Sequence, residues 1–369
     1  MAPKIVLIIG GAGAQGLPIV EALSKDPQYQ IRVLTRNPTS PSAKKVLSYP
    51  NTSLTVGDPS TEASLRTAFQ NVTLAFVNLN SFAIGVRAEI YWGMRIYDIA
   101  IESGVEHYIW SALPDALAAS GYDERYRVGH FEGKARVTDF LQGKGQERMR
   151  WSVVTTGPYV EMLSELLKPF QQTTVAGDGA GTGAGVGEEE WVFKFPLQDG
   201  AIPFVHLEDV AAGVKWMFEH PELSAGMDLH ANMEHTTGEM VARAFTAVTG
   251  RPARYESISK EAWFGVAPTG PPGYRMGSQY PGNAPSDPTN FTVAENFGNW
   301  WNVYQATKAG TEMGKGLHEG QGLLKVDYGV FDKVVPGRVR SVEEWMRKVE
   351  YDGGWRSLLQ HFIGEDAKA

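Results

Sequence analysis

The 369-residue chain contains no cysteine. Disulfide bonds, thiolate catalysis and cysteine-ligated zinc are therefore excluded, and we expect a cytoplasmic protein, since that compartment is reducing. Long apolar runs are also lacking, so the sequence predicts no membrane-spanning helix. The apolar stretch at residues 4–9 is too short for a signal peptide and is followed at once by glycines.

Basic residues are outnumbered, because 34 Lys and Arg stand against 42 Asp and Glu, a formal net charge of -8. Binding along a nucleic acid requires clustered basic residues, so we expect no direct nucleic-acid partner. The remaining composition, 43% hydrophobic and 21% charged, is that of an ordinary globular chain. The length allows one large domain or two domains that share a cleft.

Short apolar segments alternate with helical patterns over the first 155 residues. Residues 4–9 carry an apolar, β-branched run that is typical of a parallel strand buried on both faces. Further strands are predicted at 31–34, 54–56, 74–77, 108–110 and 151–154, and helices at 17–23, 63–69 and 89–102. This order predicts a doubly wound α/β fold with a parallel sheet and right-handed crossovers.

The alternation fails after residue 156. The later sequence predicts a helix at 161–170, a Gly-rich loop at 177–187, strands at 191–195 and 202–205, and helices at 207–219, 291–308 and 342–351, with an irregular stretch at 268–288. We expect the strand–helix unit at 202–219 to rejoin the first domain. The predicted division is a doubly wound domain of residues 1–156 plus about 201–220, and a smaller, discontinuous α+β cap of residues 157–200 and about 221–369.

The first predicted strand runs directly into a glycine-rich loop. The loop consists of Gly10, Gly11, Ala12, Gly13, Ala14, Gln15 and Gly16, and a predicted helix follows it. This context is typical of dinucleotide-binding proteins, because the backbone must approach a diphosphate without a Cβ in the way and the helix N-terminus supplies N–H donors. The sequence therefore predicts that the loop binds a dinucleotide; a tight turn without a ligand is the alternative.

The end of the second strand indicates which dinucleotide binds. An NAD site places an acidic residue about 20 residues beyond the first glycines. This chain instead has Arg36, Asn37, Pro38, Thr39 and Ser40. A guanidinium can form charge-assisted hydrogen bonds with a ribose 2′-phosphate, so we predict NADP(H) as the cofactor; a solvated surface arginine is the alternative.

Two later segments also follow predicted strands. Ligands of such sheets bind at the carboxyl ends of the strands, so we expect Asp58 and Pro59 near the adenine, and Leu79, Asn80 and Ser81 beside the ribose. The alternative for each of these residues is a structural role in a turn or a helix cap.

Five segments match the pattern of a known family. They are residues 10–16, 35–38, 103–113, 130–134 and 157–161. In order and spacing they resemble the NmrA-like family, atypical relatives of the short-chain dehydrogenases and reductases. The resemblance implies an NADP-binding Rossmann domain with a small C-terminal cap. It also implies that Lys134 and the segment Tyr159, Val160, Glu161 and Met162 border the nicotinamide half of the cofactor.

The resemblance implies two kinds of function. Some members of the family reduce small organic substrates, often in fungal secondary metabolism, whereas others bind dinucleotide and partner proteins without evident catalysis. This chain departs from the family pattern at two places, since Met94 stands where a Lys is common and Met162 where an Asn is common.

His130, Lys134 and Ser111 are the candidate catalytic residues. Reductases of the broader superfamily use Tyr-x-x-x-Lys, and His130-x-x-x-Lys134 occupies the matching place, one helical turn apart. A histidine with an ordinary pKa of about 6.5 can donate a proton at neutral pH, so we predict His130 as the general acid, unless it only packs or caps its helix. We further predict that Lys134 holds the cofactor and that Ser111 orients a substrate carbonyl. Alternative proton donors are Tyr122, Tyr126 and Tyr159.

Two functions remain open from the sequence. The first is an NADPH-dependent oxidoreductase that reduces a carbonyl, imine or activated alkene of a small aromatic or polycyclic metabolite, held by aromatic residues of the cap. These residues are Trp191, Phe193, Phe195, Trp263, Phe264, Tyr274, Tyr280, Phe297, Trp300, Trp301 and Tyr304. The second is a non-catalytic NADP(H)-sensing regulator whose cap binds a protein partner. A metal site is not predicted, because the spacing of His230 and His235 does not suit one helix face.

Overall fold

The chain folds into one large sheet, three small sheets and the helices that cover them, in a computed structural model that describes residues 3–173, 189–284, 286–287, 289–309 and 321–358. The strands are β1 (Lys4–Ile9), β2 (Tyr29–Thr35), β3 (Thr52–Val56), β4 (Leu74–Val77), β5 (His107–Ala112), β6 (Arg150–Thr155), β7 (Phe170–Thr173), β8 (Glu189–Lys194), β9 (Ile202–Pro203), β10 (Asp228–His230), β11 (His235–Thr236), β12 (Ala253–Glu256), β13 (Thr307–Lys308) and β14 (Gln321–Gly322).

The helices are α1 (Gly16–Ser24), α2 (Pro41–Leu47), α3 (Glu62–Ala68), α4 (Ser81–Ile84), α5 (Val86–Glu102), α6 (Ala116–Ala119), α7 (Gly129–Gln142), α8 (Leu207–Glu219), α9 (Pro221–Ser224), α10 (Gly238–Thr249), α11 (Lys260–Phe264), α12 (Val293–Ala306), α13 (Tyr328–Val334) and α14 (Val342–Lys348). Short 3-10 helices lie at Glu124–Tyr126 and Val160–Ser164. None of the helices within the described ranges is long and apolar enough to cross a membrane.

The large sheet has seven parallel strands in the order β10-β6-β5-β4-β1-β2-β3. From the centre of the sheet, β1, β2 and β3 follow one another towards one edge, and β4, β5 and β6 follow one another towards the other edge. The carboxyl ends of β1 and β4 therefore flank the point where the strand order reverses, which is where ligands bind in open α/β sheets. The predicted doubly wound Rossmann-type fold is confirmed.

Successive residues of β1 face opposite sides of the sheet. Leu7 and Ile9 pack with α3, α5 and α7, whereas Val6 and Ile8 pack with α1, α2 and α8. All four side chains are at most 2% exposed. Each such burial stabilises the fold by about 1.5–3 kcal/mol. Burial on both faces explains why the strand reads as a continuous apolar run rather than an alternating one.

A separate apolar core lies in the C-terminal part of the chain. The strands β7, β8 and β12 form a three-stranded sheet there, and its apolar residues pack with α10, α11, α12 and α14. Large aromatic side chains dominate this core, among them Phe193, Phe195, Trp263 and Trp301. The small sheets and helices form the smaller α+β part that the sequence predicted.

Several element predictions differ from the structure. The segment predicted as a helix at 161–170 forms a 3-10 helix and then β7, because Pro169 cannot continue a helix. The strand predicted at 202–205 is limited to Ile202–Pro203 and pairs with β11 outside the large sheet, although α8 does pack on α1. The seventh strand of the large sheet is Asp228–His230, within the range predicted for the cap. The predicted loop at 177–187 lies outside the described residues.

Candidate functional site

A cleft of about 450 Å³ opens along the carboxyl edge of the large sheet. The segments that follow β1 to β6 all line it, at residues 9–10, 12–15, 34–36, 58–60, 78–84, 113 and 157–159. The other lining residues are His130, Phe131, Lys134, Met162, Phe297 and Trp300. Strand pairing sets Ile9 opposite both Leu34 and Val77, so the ends of β1, β2 and β4 are level. The cleft therefore occupies the point where the strand order reverses.

The glycine loop folds tightly because three of its positions have no room for a side chain. Gly10 has a φ of +82°, and a Cβ there would lie 2.5 Å from the carbonyl oxygen of Asn78. A Cβ at Gly16 would overlap the carbonyl oxygen of Gly10, and one at Gly11 would lie 2.8 Å from Val33. Because only glycine tolerates these positions, the backbone can form a close turn between β1 and α1.

The turn leaves backbone donors available at the cleft. The amide nitrogens of Ala12, Ala14 and Gln15 donate to no other residue in the described part of the chain, whereas that of Gly13 bonds to the Gly10 carbonyl at 3.0 Å. The helix α1 starts directly behind them and adds the partial positive charge of its N-terminus. Of the seven predicted loop residues, Gly11 and Gly16 lie outside the lining. The loop fits a diphosphate, since it combines open space with donors.

Arg36 lies at the mouth of the cleft, where β2 ends. Its side chain is exposed and forms no ion pair or hydrogen bond with any residue of the described ranges. The side chain of Asn37 accepts hydrogen bonds from the amide and hydroxyl of Thr39, at 3.0 and 2.8 Å, and Ser40 caps α2. Asn37, Pro38, Thr39 and Ser40 therefore form the turn behind Arg36 and do not line the cleft.

The other predicted strand-end residues all line the cleft: Asp58, Pro59, Leu79, Asn80 and Ser81. Two of their polar side chains also hold local structure. The carboxylate of Asp58 accepts hydrogen bonds from Ser60, and the Asn80 side chain accepts from the amide of Phe82 at the start of α4. Both roles proposed for these residues, ligand contact and helix or turn capping, are therefore compatible with their positions.

Lys134 on α7 forms a buried ion pair that was not predicted from the sequence. Its ammonium lies 3.2 Å from a carboxylate oxygen of Glu89, which is fully buried on α5, and the other oxygen accepts from the Ser81 hydroxyl. Burial raises the pKa of Glu89, and the Lys134 charge opposes that effect. A Cβ at Gly133 would overlap this carboxylate. The sequence signal for this pair was Glu89 itself, a charged residue on the apolar face of α5.

A hydrogen-bonded chain runs from Lys134 to the glycine loop. The ammonium donates to the side-chain oxygen of Asn78 at 2.8 Å, so the Asn78 nitrogen faces Gln15 and donates to its oxygen at 2.8 Å. The Ser111 hydroxyl donates to that same Gln15 oxygen at 3.0 Å. The Gln15 nitrogen is consequently left as a buried donor without a partner in the described part of the chain. Gln15 lines the cleft, so this donor fits a ligand rich in acceptor oxygens.

These contacts bear on the roles predicted for Ser111 and Lys134. Ser111 is 1% exposed and lies outside the cleft lining, with its hydroxyl directed to Gln15. The Lys134 ammonium also lies within reach of the carbonyl oxygens of Leu79 and Ser111, at 3.0 and 3.4 Å, and it is 7% exposed. A ribose contact would therefore have to replace one of the protein partners of Lys134.

Of the four candidate proton donors, His130 and Tyr159 line the cleft, whereas Tyr122 and Tyr126 do not. Tyr122 is 68% exposed. Burial lowers the pKa of His130 to about 4, so the imidazole is neutral at neutral pH, and its role as the general acid stays a prediction. Burial raises the pKa of Tyr159, which therefore keeps its phenolic proton.

Some residues of the segment 159–162, which follows β6, line the cleft, and others lie in the protein interior. Tyr159 and Met162 line the cleft, whereas Val160 is fully buried and Glu161 accepts a hydrogen bond from the amide of Leu207 at 3.0 Å. Burial raises the pKa of Glu161 to about 7. Glu161 thus caps the start of α8 rather than facing the cleft.

Apolar and aromatic side chains line the end of the cleft beside His130. Phe82, Phe131, Phe297, Trp300 and Leu113 contribute to this wall. Of the cap aromatics predicted to hold the substrate, Phe297 and Trp300 line the cleft. Phe82 and Phe131 had no sequence signal that distinguished them from core residues.

His230 and His235 have other partners. The ring nitrogens of His235 bond to the hydroxyl of Tyr328 and, at 2.9 Å, to the carbonyl of Leu324. His230 lies 3.6 Å from Asp228. Within the described ranges, no group of three or more His, Asp or Glu side chains is placed to hold a metal ion.

Comparison with known proteins identifies the family. The model of the NmrA-like family matches residues 2–273. An NmrA-like family domain-containing oxidoreductase of Aspergillus hancockii is 26% identical over 269 residues, which cover 70% of this chain and 76% of the relative.

Solved structures show the same fold. The negative transcriptional regulator NmrA, solved with NADP, aligns with a TM-score of 0.64 and 20% identity over 95% of this chain and 96% of NmrA. A triphenylmethane reductase of Citrobacter sp., solved with NADP(H), aligns with a TM-score of 0.62 and 13% identity over 93% of this chain and 99% of the reductase. Since the family model covers most of the sequence, the chain belongs to the NmrA-like family.

Proposed function

We propose that this protein is an NADPH-dependent oxidoreductase that reduces a carbonyl, imine or activated alkene of a small aromatic metabolite. One observation carries the proposal: a single cleft combines an open glycine loop, an aromatic wall and an arginine that has no partner among the described residues. The names of relatives support it, since one is called an oxidoreductase and a structural neighbour is a reductase solved with NADP(H). A place in fungal-type secondary metabolism is part of the proposal.

The cofactor would lie across the strand ends. The free amides of Ala12, Ala14 and Gln15 would hold the diphosphate, and Arg36 would bind the 2′-phosphate. Asp58 and Pro59 would lie by the adenine, and residues 79–81, Tyr159, Met162 and Lys134 would lie by the ribose and nicotinamide. When bound, NADPH supplies the hydride.

The chain itself would place the substrate and supply the proton. The aromatic wall beside His130 suits a flat ring system. Tyr159 is the proposed proton donor, because it carries an O–H group and lines the cleft. His130 would contact the substrate as a neutral imidazole.

The experiment is NADPH oxidation, followed at 25 °C with a panel of quinones, aromatic ketones and triphenylmethane dyes. Turnover by the wild type should fall at least about 100-fold in Tyr159→Phe, since general acid–base catalysis contributes about 10²–10⁴-fold. The matched control is Tyr122→Phe, which removes an exposed hydroxyl outside the cleft and should leave turnover unchanged. Equal turnover by Tyr159→Phe would exclude Tyr159 as the donor.

A non-catalytic NADP(H) sensor with a protein partner is the second candidate. The observation that favours it is His130, which stands where the Tyr-x-x-x-Lys pattern has a tyrosine. Tight NADPH binding without oxidation by any compound of the panel would support this function over the reductase.

A further inference from the structure

The side chain of Asn296 on α12 contacts both the backbone and the ring of His130. Asn296 is fully buried, and its side-chain oxygen lies 3.3 Å from the backbone nitrogen of His130 and 3.0 Å from the ring Nδ1. The backbone amide can only donate, so the oxygen of Asn296 must occupy this position. The same oxygen can only accept from the ring. Nδ1 of His130 must therefore carry a hydrogen.

Rotating the Asn296 amide would not remove this constraint. Its nitrogen is buried and has no partner in the described part of the chain. Exchanging the two atoms would leave the oxygen unpaired there instead, and it would set an amide nitrogen against the backbone N–H of His130. Two opposed donors are worse than one unpaired donor, so the orientation with the oxygen towards His130 is favoured.

The other ring nitrogen, Nε2, is consequently an acceptor. A neutral imidazole carries one hydrogen, and burial keeps His130 neutral by lowering its pKa to about 4. Nε2 has no hydrogen-bond partner among the described residues, and His130 lines the cleft. The ring is packed against Phe82 and Phe131, with centroid separations of 5.0 and 4.8 Å. Nε2 of His130 is thus a polar acceptor surrounded by aromatic side chains at this end of the cleft.

The helix that carries Asn296 also carries part of the aromatic wall. Phe297 and Trp300 line the cleft from α12, and Phe297 stacks on Phe82 at 5.7 Å with an interplanar angle of 24°. A capping box between Thr292 and Glu295 fixes the start of this helix. The same helix therefore carries both Asn296 and part of the pocket wall beside His130.

We propose that Asn296 is a positioning residue that holds His130 in the Nδ1–H tautomer, so that the cleft selects an aromatic substrate bearing a hydroxyl or N–H group that donates to Nε2. A substrate carbonyl would then face Tyr159 rather than His130. The substrate part rests on the proposed function, whereas the tautomer does not.

Long-range ¹H–¹⁵N correlation spectra of the full chain, labelled with ¹⁵N-histidine, test the tautomer at pH 7. The His130 signals are those that vanish in His130→Gln. The expected pattern is a protonated Nδ1 and a bare Nε2, retained in Asn296→Asp, whose carboxylate also accepts, and lost in Asn296→Leu. The control Asn299→Leu, which changes an amide that bonds to the Arg127 carbonyl, should retain it. An Nε2–H tautomer in the wild type, or an unchanged tautomer in Asn296→Leu, would overturn the proposal.

Calorimetric titration with 2-naphthol and 2-methoxynaphthalene tests the substrate class, because these probes share a ring system and differ in the ability to donate. The wild type should bind the naphthol about 3- to 10-fold more tightly, as expected for one net hydrogen bond. His130→Phe should reduce this ratio below about 2-fold. Equal binding by the wild type, or no binding of either probe, would overturn the substrate class. Absent NADPH oxidation with the tautomer intact would count against the proposed function alone.

Discussion

Replacing Arg36 by alanine should convert the protein from a preference for NADPH to indifference between NADPH and NADH. Arg36 is exposed at the cleft and has no partner in the described ranges, so its loss leaves no buried charge behind. A hydrogen bond to a charged group contributes about 1.5–3 kcal/mol. Since about 1.4 kcal/mol corresponds to a factor of ten, Arg36→Ala should weaken NADPH binding about 10- to 150-fold and leave NADH binding unchanged.

The assay is titration of both reduced cofactors at two ionic strengths, by fluorescence or calorimetry. Salt should weaken NADPH binding by the wild type more than binding by Arg36→Ala, because exposed charges are screened within a Debye length of about 10 Å at 0.1 M. The matched control is Arg148→Ala, another exposed arginine without an ion pair in the described part of the chain, which lies between α7 and β6. Equal affinity of the wild type for NADPH and NADH would refute the assignment, as would a parallel loss of both in Arg36→Ala.

Three further predictions concern the loop, the buried ion pair and the partly buried carboxyl of Glu234. Gly16→Ala should abolish cofactor binding or fold poorly, since a Cβ there overlaps the Gly10 carbonyl; calorimetry and circular dichroism distinguish these outcomes. Lys134→Met should lower the free energy of unfolding in urea by about 3–5 kcal/mol, because it leaves the buried Glu89 carboxylate without its partner. Adding Glu89→Gln should restore part of this free energy, since it removes the unpaired charge. If the double variant is no more stable than Lys134→Met, the ion pair does not stabilise the fold. Burial raises the pKa of Glu234 to about 7, above its unfolded value, so its folded state binds the proton more tightly and stability falls as pH rises from about 4.5 to 7. Glu234→Gln should therefore gain stability relative to the wild type at pH 8 but not at pH 4.5, whereas the exposed Glu106→Gln should show no such difference.

The local sequence was sufficient for the large sheet and the glycine loop. Strands that are buried on both faces must be continuously apolar, and a backbone that turns this tightly must be glycine, so both features are written in consecutive residues. The family assignment and the doubly wound fold are confirmed for this reason. The predicted ligand roles of the loop and of Arg36 stay predictions, although their positions in one cleft agree with them.

Long-range contacts determined the edge strand β10 and the polar contacts of the cleft. β10 has three residues and no strand pattern of its own, and it joins the sheet only because β6 offers an edge for pairing. Glu89 meets Lys134 across two helices, and Asn296 reaches His130 over 166 positions of sequence. Local periodicity cannot specify which side chains meet at such distances. The sequence by itself thus determined a sheet, its turn and its family, whereas the tertiary structure decided the protonation and hydrogen-bonding character of the cleft, because burial and packing set both.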